Sequence, residues 1–213
     1  MQRNKLRSFA AIGLSLAVLG VAGVSAHAGN IIDEWANVKM PPPPELKPVT
    51  VDPKTTALLV MDILPSFYCG DKPRCVATLP TIKQLLAAAR ASNTTVIYSV
   101  GSAKFGPEDI LKDVAPLGTE PVVKGKADKF LNTDLEKILK DKGIQTVIVT
   151  GTAANGAVLS TGSGAAMRGI KVIVPVDGLS GEPFGELLTV WQLANGPGFG
   201  SQVTATRSDM IKF

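Results

Sequence analysis

The chain has 213 residues, 45% of them hydrophobic, with 22 Lys and Arg against 18 Asp and Glu, two cysteines and one histidine. That length suits one α/β domain with a sizeable core, and the composition excludes disordered, collagenous and disulfide-dense classes. The formal charge of +4 is scattered, with no block of like charge, which argues against a nucleic-acid partner.

The first 28 residues read as a secretory signal. Arg3, Lys5 and Arg7 precede an apolar stretch from Phe9 to Val24, and Ala26-His27-Ala28 offers a small-residue cleavage site. The apolar run is about 16 residues, short of the roughly 20 that a spanning helix needs. No cysteine near the site suggests a lipid anchor, and no Arg-Arg pair suggests the twin-arginine route. The expectation is a periplasmic or secreted protein with no membrane partner after cleavage. Removing Arg3, Lys5 and Arg7 from 22 basic residues leaves 19 against 18 acidic, a formal +1. The sole histidine, His27, leaves with them, so the mature chain works without imidazole as base, metal ligand or pH switch.

Residues 29–54 are proline-rich: Pro41 to Pro44 form an unbroken run and Pro48 and Pro53 follow, which predicts an extended arm. The regular domain is expected over 55–213. Ala57 to Met61 is a continuous apolar run ending on Asp62, the pattern of a strand buried on both faces. A turn-rich loop then carries Cys69 and Cys75, read as a small-loop disulfide in an oxidising compartment. Helical spacing begins at Leu79 and continues through residues 82, 85, 86 and 89, and Thr95 to Val100 returns to a strand.

Further along, Pro121 to Val123 is a short strand ending at Lys124, and a helix runs from Thr133-Asp134 to Lys142, closed by Gly143. Thr146 to Thr150 is a buried strand, Gly151 to Asn155 a turn, and 156–168 an Ala-rich helix. Lys171 to Val176 is a strand, 184–194 a helix, and 202–206 a last strand. This alternation predicts βαβ units around a mostly parallel sheet. Gly162 and Gly164 lie inside a helix, where close packing explains them better than a dinucleotide fingerprint does. No phosphate-loop motif is present. Gly196 to Gly200 reads as a flexible loop, and Leu187 and Trp191, four apart, as core.

Ligands of open parallel sheets bind at the carboxyl ends of strands. Asp62 and Lys124 both end strands there, and their pairing is the expectation to be tested. The small-residue turn from Gly151 to Ala157 lets a ligand approach backbone and the following helix start.

These features together resemble the isochorismatase-like cysteine hydrolases over roughly residues 55–207. The resemblance rests on four blocks: Leu58 to Asp62 with Phe67; Lys124 with Phe130 and Thr133-Asp134-Leu135; Val149-Thr150-Gly151 with Val158 to Thr161; and Arg168-Gly169 with Val176-Asp177. It implies a three-layer α/β/α, Rossmann-like fold with about six strands and a small-molecule ligand. It also implies a catalytic aspartate and lysine at Asp62 and Lys124, beside a nucleophilic cysteine whose position here is Ala157. A methyl group forms no thioester, so the covalent amidase route is closed. The implied oxyanion hole, made of backbone N–H groups at Ala153 and Ala157, survives that change.

Leu64 and Ser66 stand where relatives often carry Gln and Asp. No Asp-x-His zinc pair exists, so no metal or cofactor is expected. Three readings follow. Asp62 acts as an acid on a vinyl ether, although Gly101 stands where that branch places a glutamine. Alternatively, the pocket persists as a catalytically silent binding or structural member. Last, Cys69 acts as a displaced thiolate beside Lys124, which a disulfide would prevent. Family relatives are commonly oligomers, and a homo-oligomer is left open.

Overall fold

The computed structural model describes residues 29–66 and 68–213. The expected signal segment and Phe67 lie outside the described residues. The chain divides into two units, Met1–Met40 and Pro41–Phe213. In the first, a one-turn helix α1 (Ile31–Glu34) is closed by a capping box: Asn30 Oδ1 accepts from the Ile32 N–H at 2.8 Å, and Asp33 accepts from the Asn30 N–H.

The second unit is built on a seven-stranded sheet in which every pairing is parallel. Its strands are β2 (Thr56–Met61), β3 (Thr95–Val100), β4 (Val122–Lys124), β5 (Thr146–Thr152), β6 (Lys171–Pro175), β7 (Leu179–Ser180) and β8 (Val203–Thr206). The order is β4-β3-β2-β5-β6-β8, with β7 pairing the carboxyl end of β5. A separate two-stranded piece joins β1 (Val49–Thr50) to β9 (Ile211–Lys212).

Four helices cover the sheet: α2 (Pro73–Ala91), α3 (Leu135–Asp141), α4 (Leu159–Met167) and α5 (Pro183–Asn195). Side chains alternate across a strand, so β2 feeds two cores. Leu58 and Val60 pack with Ile82, Leu85 and Leu86 of α2, while Leu59 and Met61 pack on the face that holds Leu139, Ala165 and Leu193 of α3, α4 and α5. The fold is the three-layer α/β/α arrangement expected. β7 adds a two-residue seventh strand, too short to leave a periodic signal.

Three local readings change. Helix α2 starts at Pro73, six residues earlier than the spacing from Leu79 suggests, because proline suits a first helical turn. Cys75 therefore lies on a helix rather than in the loop. Leu187 and Trp191 are half-buried, the buried face of α5 being Gly185, Thr189, Val190 and Leu193. Gly162 does what close packing requires, since a Cβ there would meet Leu193 at 3.1 Å.

Strand numbering runs outward in both directions from the β2–β5 junction, which is therefore the sheet's topological switch point. The two backbones approach closely there. Gly151 lies opposite Met61 with φ of 113°, and a Cβ would meet the Met61 carbonyl oxygen at 2.1 Å, so only glycine fits.

Candidate active site

Asp62 is the first residue past β2 and sits in the left-handed region at φ of 57°, a conformation that aspartate tolerates better than most residues. Its N–H donates to the Ser99 carbonyl at 3.1 Å, which holds the turn against β3. The side chain is buried, and both oxygens are engaged: Oδ1 accepts from Ser99 Oγ and Oδ2 from Lys129 Nζ, each at 2.8 Å. Burial pushes the Asp62 carboxyl above the ordinary carboxylate range; the Lys129 ammonium and the two hydrogen bonds oppose that rise without cancelling it.

The cation that meets Asp62 is Lys129, not Lys124. Lys124 closes the three-residue strand β4, opposite Val100, and its side chain is exposed. Two strand spacings separate β4 from β2, about 10 Å, which a lysine directed into solvent does not cross. Lys129, in the irregular segment that follows, is 1% exposed. Its Nζ also donates to the Gly125 carbonyl at 2.9 Å, and its backbone is fastened from two sides. Thr161 Oγ1 of α4 accepts from its N–H at 3.1 Å, and Thr133 Oγ1 donates to its carbonyl. Thr161 also donates to the Ala127 carbonyl at 3.2 Å, so this α4 hydroxyl sets the loop that delivers the ammonium. A lone lysine in an aperiodic segment gave no sequence signal for this.

On the other side of the switch point, β5 runs into a π-turn (Ala154–Val158) that continues as α4. Such turns inside helices are frequent at functional sites. Ala157 is buried there, and together with Asp62, Tyr68, Gly101, Thr152 and Ala153 it lines a cavity of about 380 Å³. Tyr68 fills the space above Gly101: a Cβ at 101 would lie 2.5 Å from its ring, so glycine there admits the aromatic wall. Tyr68 is held edge-on to Phe105 with ring centroids 5.4 Å apart. Burial, and secondarily the Asp62 charge, push its hydroxyl above the usual tyrosine range.

Cys69 and Cys75 are joined in a disulfide that ties the loop after β2 to the first turn of α2, and no free cysteine remains among the described residues. The displaced-thiolate reading of Cys69 therefore fails, because a bonded sulfur is not a thiolate. Among the described residues, no three His, Cys, Asp or Glu side chains cluster in a way that could hold a metal ion.

The site is thus a buried aspartate–lysine pair at the switch point of a parallel sheet, facing a small-residue turn. Comparison with known proteins gives the family. The isochorismatase domain matches residues 56–186, more than half of the chain, and the chain belongs to that family. It is 30% identical over 132 residues to streptothricin hydrolase of Streptomyces noursei, covering 57% of this chain and 52% of that protein, so it spans about half of that relative's length. It is 27% identical over 142 residues to the secreted isochorismatase effector Isc1 of Verticillium dahliae, covering 61% of this chain and 75% of that one. Among solved structures, a cysteine hydrolase from Pseudomonas syringae pv. phaseolicola superposes with a TM-score of 0.63 at 23% identity, over 78% of this chain and 94% of that one, a likeness of fold.

Proposed function

We propose that the protein is an exported member of the isochorismatase family whose cleft binds a small molecule without covalent catalysis. The observation that carries this reading is the wall of the cavity at residue 157, where the family resemblance expects a thiol and this chain presents a methyl group. Among the described residues that line the cavity, none is a cysteine, serine or histidine. Lys126 is exposed, Thr152 Oγ1 donates to the Ser180 carbonyl, and the Asp62 oxygens are already engaged. Backbone N–H groups at Ala153 and Ala157 flank the cavity and suit a ligand carbonyl. Export is supported by the signal-like first 28 residues, by the Cys69–Cys75 disulfide and by the secreted relative.

The raised Asp62 carboxyl favours a second reading, in which Asp62 protonates a vinyl ether and water completes the hydrolysis of a small substrate. The mature protein and its Asp62→Asn variant, incubated with a panel of small amides and vinyl ethers, separate the two. Equal background rates support binding alone, whereas turnover lost in Asp62→Asn establishes the acid role.

A further inference from the structure

A second cavity, of about 230 Å³, shares Tyr68, Thr152 and Ala153 with the first, so the two form adjoining lobes of one cleft. Its walls come from three helix starts: Lys72 to Cys75 at α2, Ala153 and Asn155 at the π-turn, and Gly181 and Glu182 at α5. None of the three N-cap residues caps through its side chain; α2 and the π-turn carry no acidic residue in their first turns, whereas α5 carries Glu186, which accepts from the Gly181 N–H at 3.0 Å. The N–H groups of a helix's first turn lack intrahelical partners and carry the positive end of the dipole, so the starts of α2 and the π-turn, which carry no acidic residue in their first turns, favour negative charge in the space they face.

An independent observation points the same way. Ser180 lines this lobe, is fully buried, and its Oγ has no hydrogen-bond partner among the described residues. A buried hydroxyl without a partner is costly, and it is a donor left over for something that enters. Lys72 stands at the rim with no ion-pair partner among the described residues. Arg74 is already committed: it pairs with Glu186 and donates to the Gly181 carbonyl at 3.0 Å, bracing α2 against α5. Glu182, the acidic member of the lining, is exposed.

We infer that this lobe is an anion subsite that takes the carboxylate of a small organic acid, while the uncharged remainder of the molecule extends past Tyr68 towards Ala157. The Arg74 and Cys75 N–H groups, Lys72 and Ser180 Oγ are its donors; Pro73 has no N–H to give. This rests on the reading of the cleft as a binding site and adds the ligand's charge.

The test titrates the mature protein with benzoate and with benzamide, its uncharged counterpart, following backbone amide resonances. Benzoate is expected to bind about tenfold more tightly, the worth of one charge-assisted contact, and to shift the Arg74 and Cys75 amides. In Lys72→Glu and in Ser180→Ala that preference shrinks while benzamide affinity stays the same. Equal affinities with shifts around Gly101 and Ala157 would overturn the anion subsite and leave the binding cleft standing. Failure of both probes to bind would overturn both. Rescue of the benzoate preference in Ser180→Thr, which restores the hydroxyl, would not follow from a merely structural Ser180.

Discussion

The two lobes of the cleft share a wall and differ in how their polar groups are matched. In the inner lobe the chemistry is closed on itself: the Asp62 carboxylate has the Ser99 hydroxyl and the Lys129 ammonium, and the lysine has the Gly125 carbonyl as well. In the outer lobe, the uncapped starts of α2 and the π-turn and the Ser180 hydroxyl have no such partners among the described residues, and only the α5 start holds a carboxylate, Glu186, against the Gly181 N–H. Self-satisfied polar groups hold a fold together and resist being recruited by a ligand. Polar groups without partners are where a ligand supplies what the protein lacks.

Removing one member of the inner pair should be the most damaging change to the cleft. Lys129→Ala leaves a buried carboxylate alone, and Asp62→Ala a buried ammonium; each should cost about 3–5 kcal/mol in urea unfolding. The apolar double variant Asp62→Leu with Lys129→Met should recover most of that loss, because a buried pair replaced by matched apolar groups is close to neutral. Lys124→Ala, at the exposed position, should change stability by less than about 0.5 kcal/mol.

The covalent link beside the outer lobe comes next. Cys75→Ser opens a loop closed by a sequence separation of 6, and should lower stability by about 2 kcal/mol. It should also weaken benzoate binding more than benzamide binding, since the bond fixes the start of α2.

The pH dependence sharpens the inner lobe. A carboxyl raised on folding holds its proton more tightly in the native state than in the unfolded one. Its stabilising contribution is therefore present below the ordinary carboxylate pKa and is lost as pH rises through the raised native value. The difference in stability between wild type and Asp62→Asn should fall across that window and flatten above it; a flat difference throughout would place Asp62 at an unperturbed value. The smallest effect belongs to Ser180→Ala. Removing a hydroxyl that has no partner should leave stability unchanged or raise it by up to about 1 kcal/mol, whereas a clear loss would show that the hydroxyl is satisfied in solution.

The contrast between lobes also tracks what the amino-acid sequence makes legible. β2 and β5 are readable because strands buried on both faces must be continuously apolar, and Asp62 stands out where that run ends. The uncapped turn between Gly151 and Ala157 is readable from its small residues. Lys129 is not, since it reaches Asp62 from an irregular segment whose shape is set by Thr133 and Thr161, and no period runs through such a loop. The same holds for the outer lobe: Lys72, Asn155 and Ser180 lie far apart along the chain and meet only because α2, the π-turn and β7 converge at one end of β5. Prolines carry two meanings in α2. Pro73, which the sequence places in the turn-rich loop, opens the first turn of α2, and Pro80 lies inside the same helix, through which the apolar spacing from Leu79 to residue 89 already runs.

In the proposed function, the methyl group at residue 157 leaves a cleft that binds without covalent turnover. Installing the missing atom tests it most directly: Ala157→Cys is compared with wild type for hydrolysis of a panel of small amides, with and without prior alkylation of the thiol. Wild-type rates are expected at background, with a thiol-dependent gain on the order of 10²-fold in Ala157→Cys, because the new thiol would share the cavity with Asp62 and with the backbone N–H groups of residues 153 and 157 proposed above as donors. Amide hydrolysis by the wild type above background, unaffected by alkylation and lost in Asp62→Asn, would contradict it.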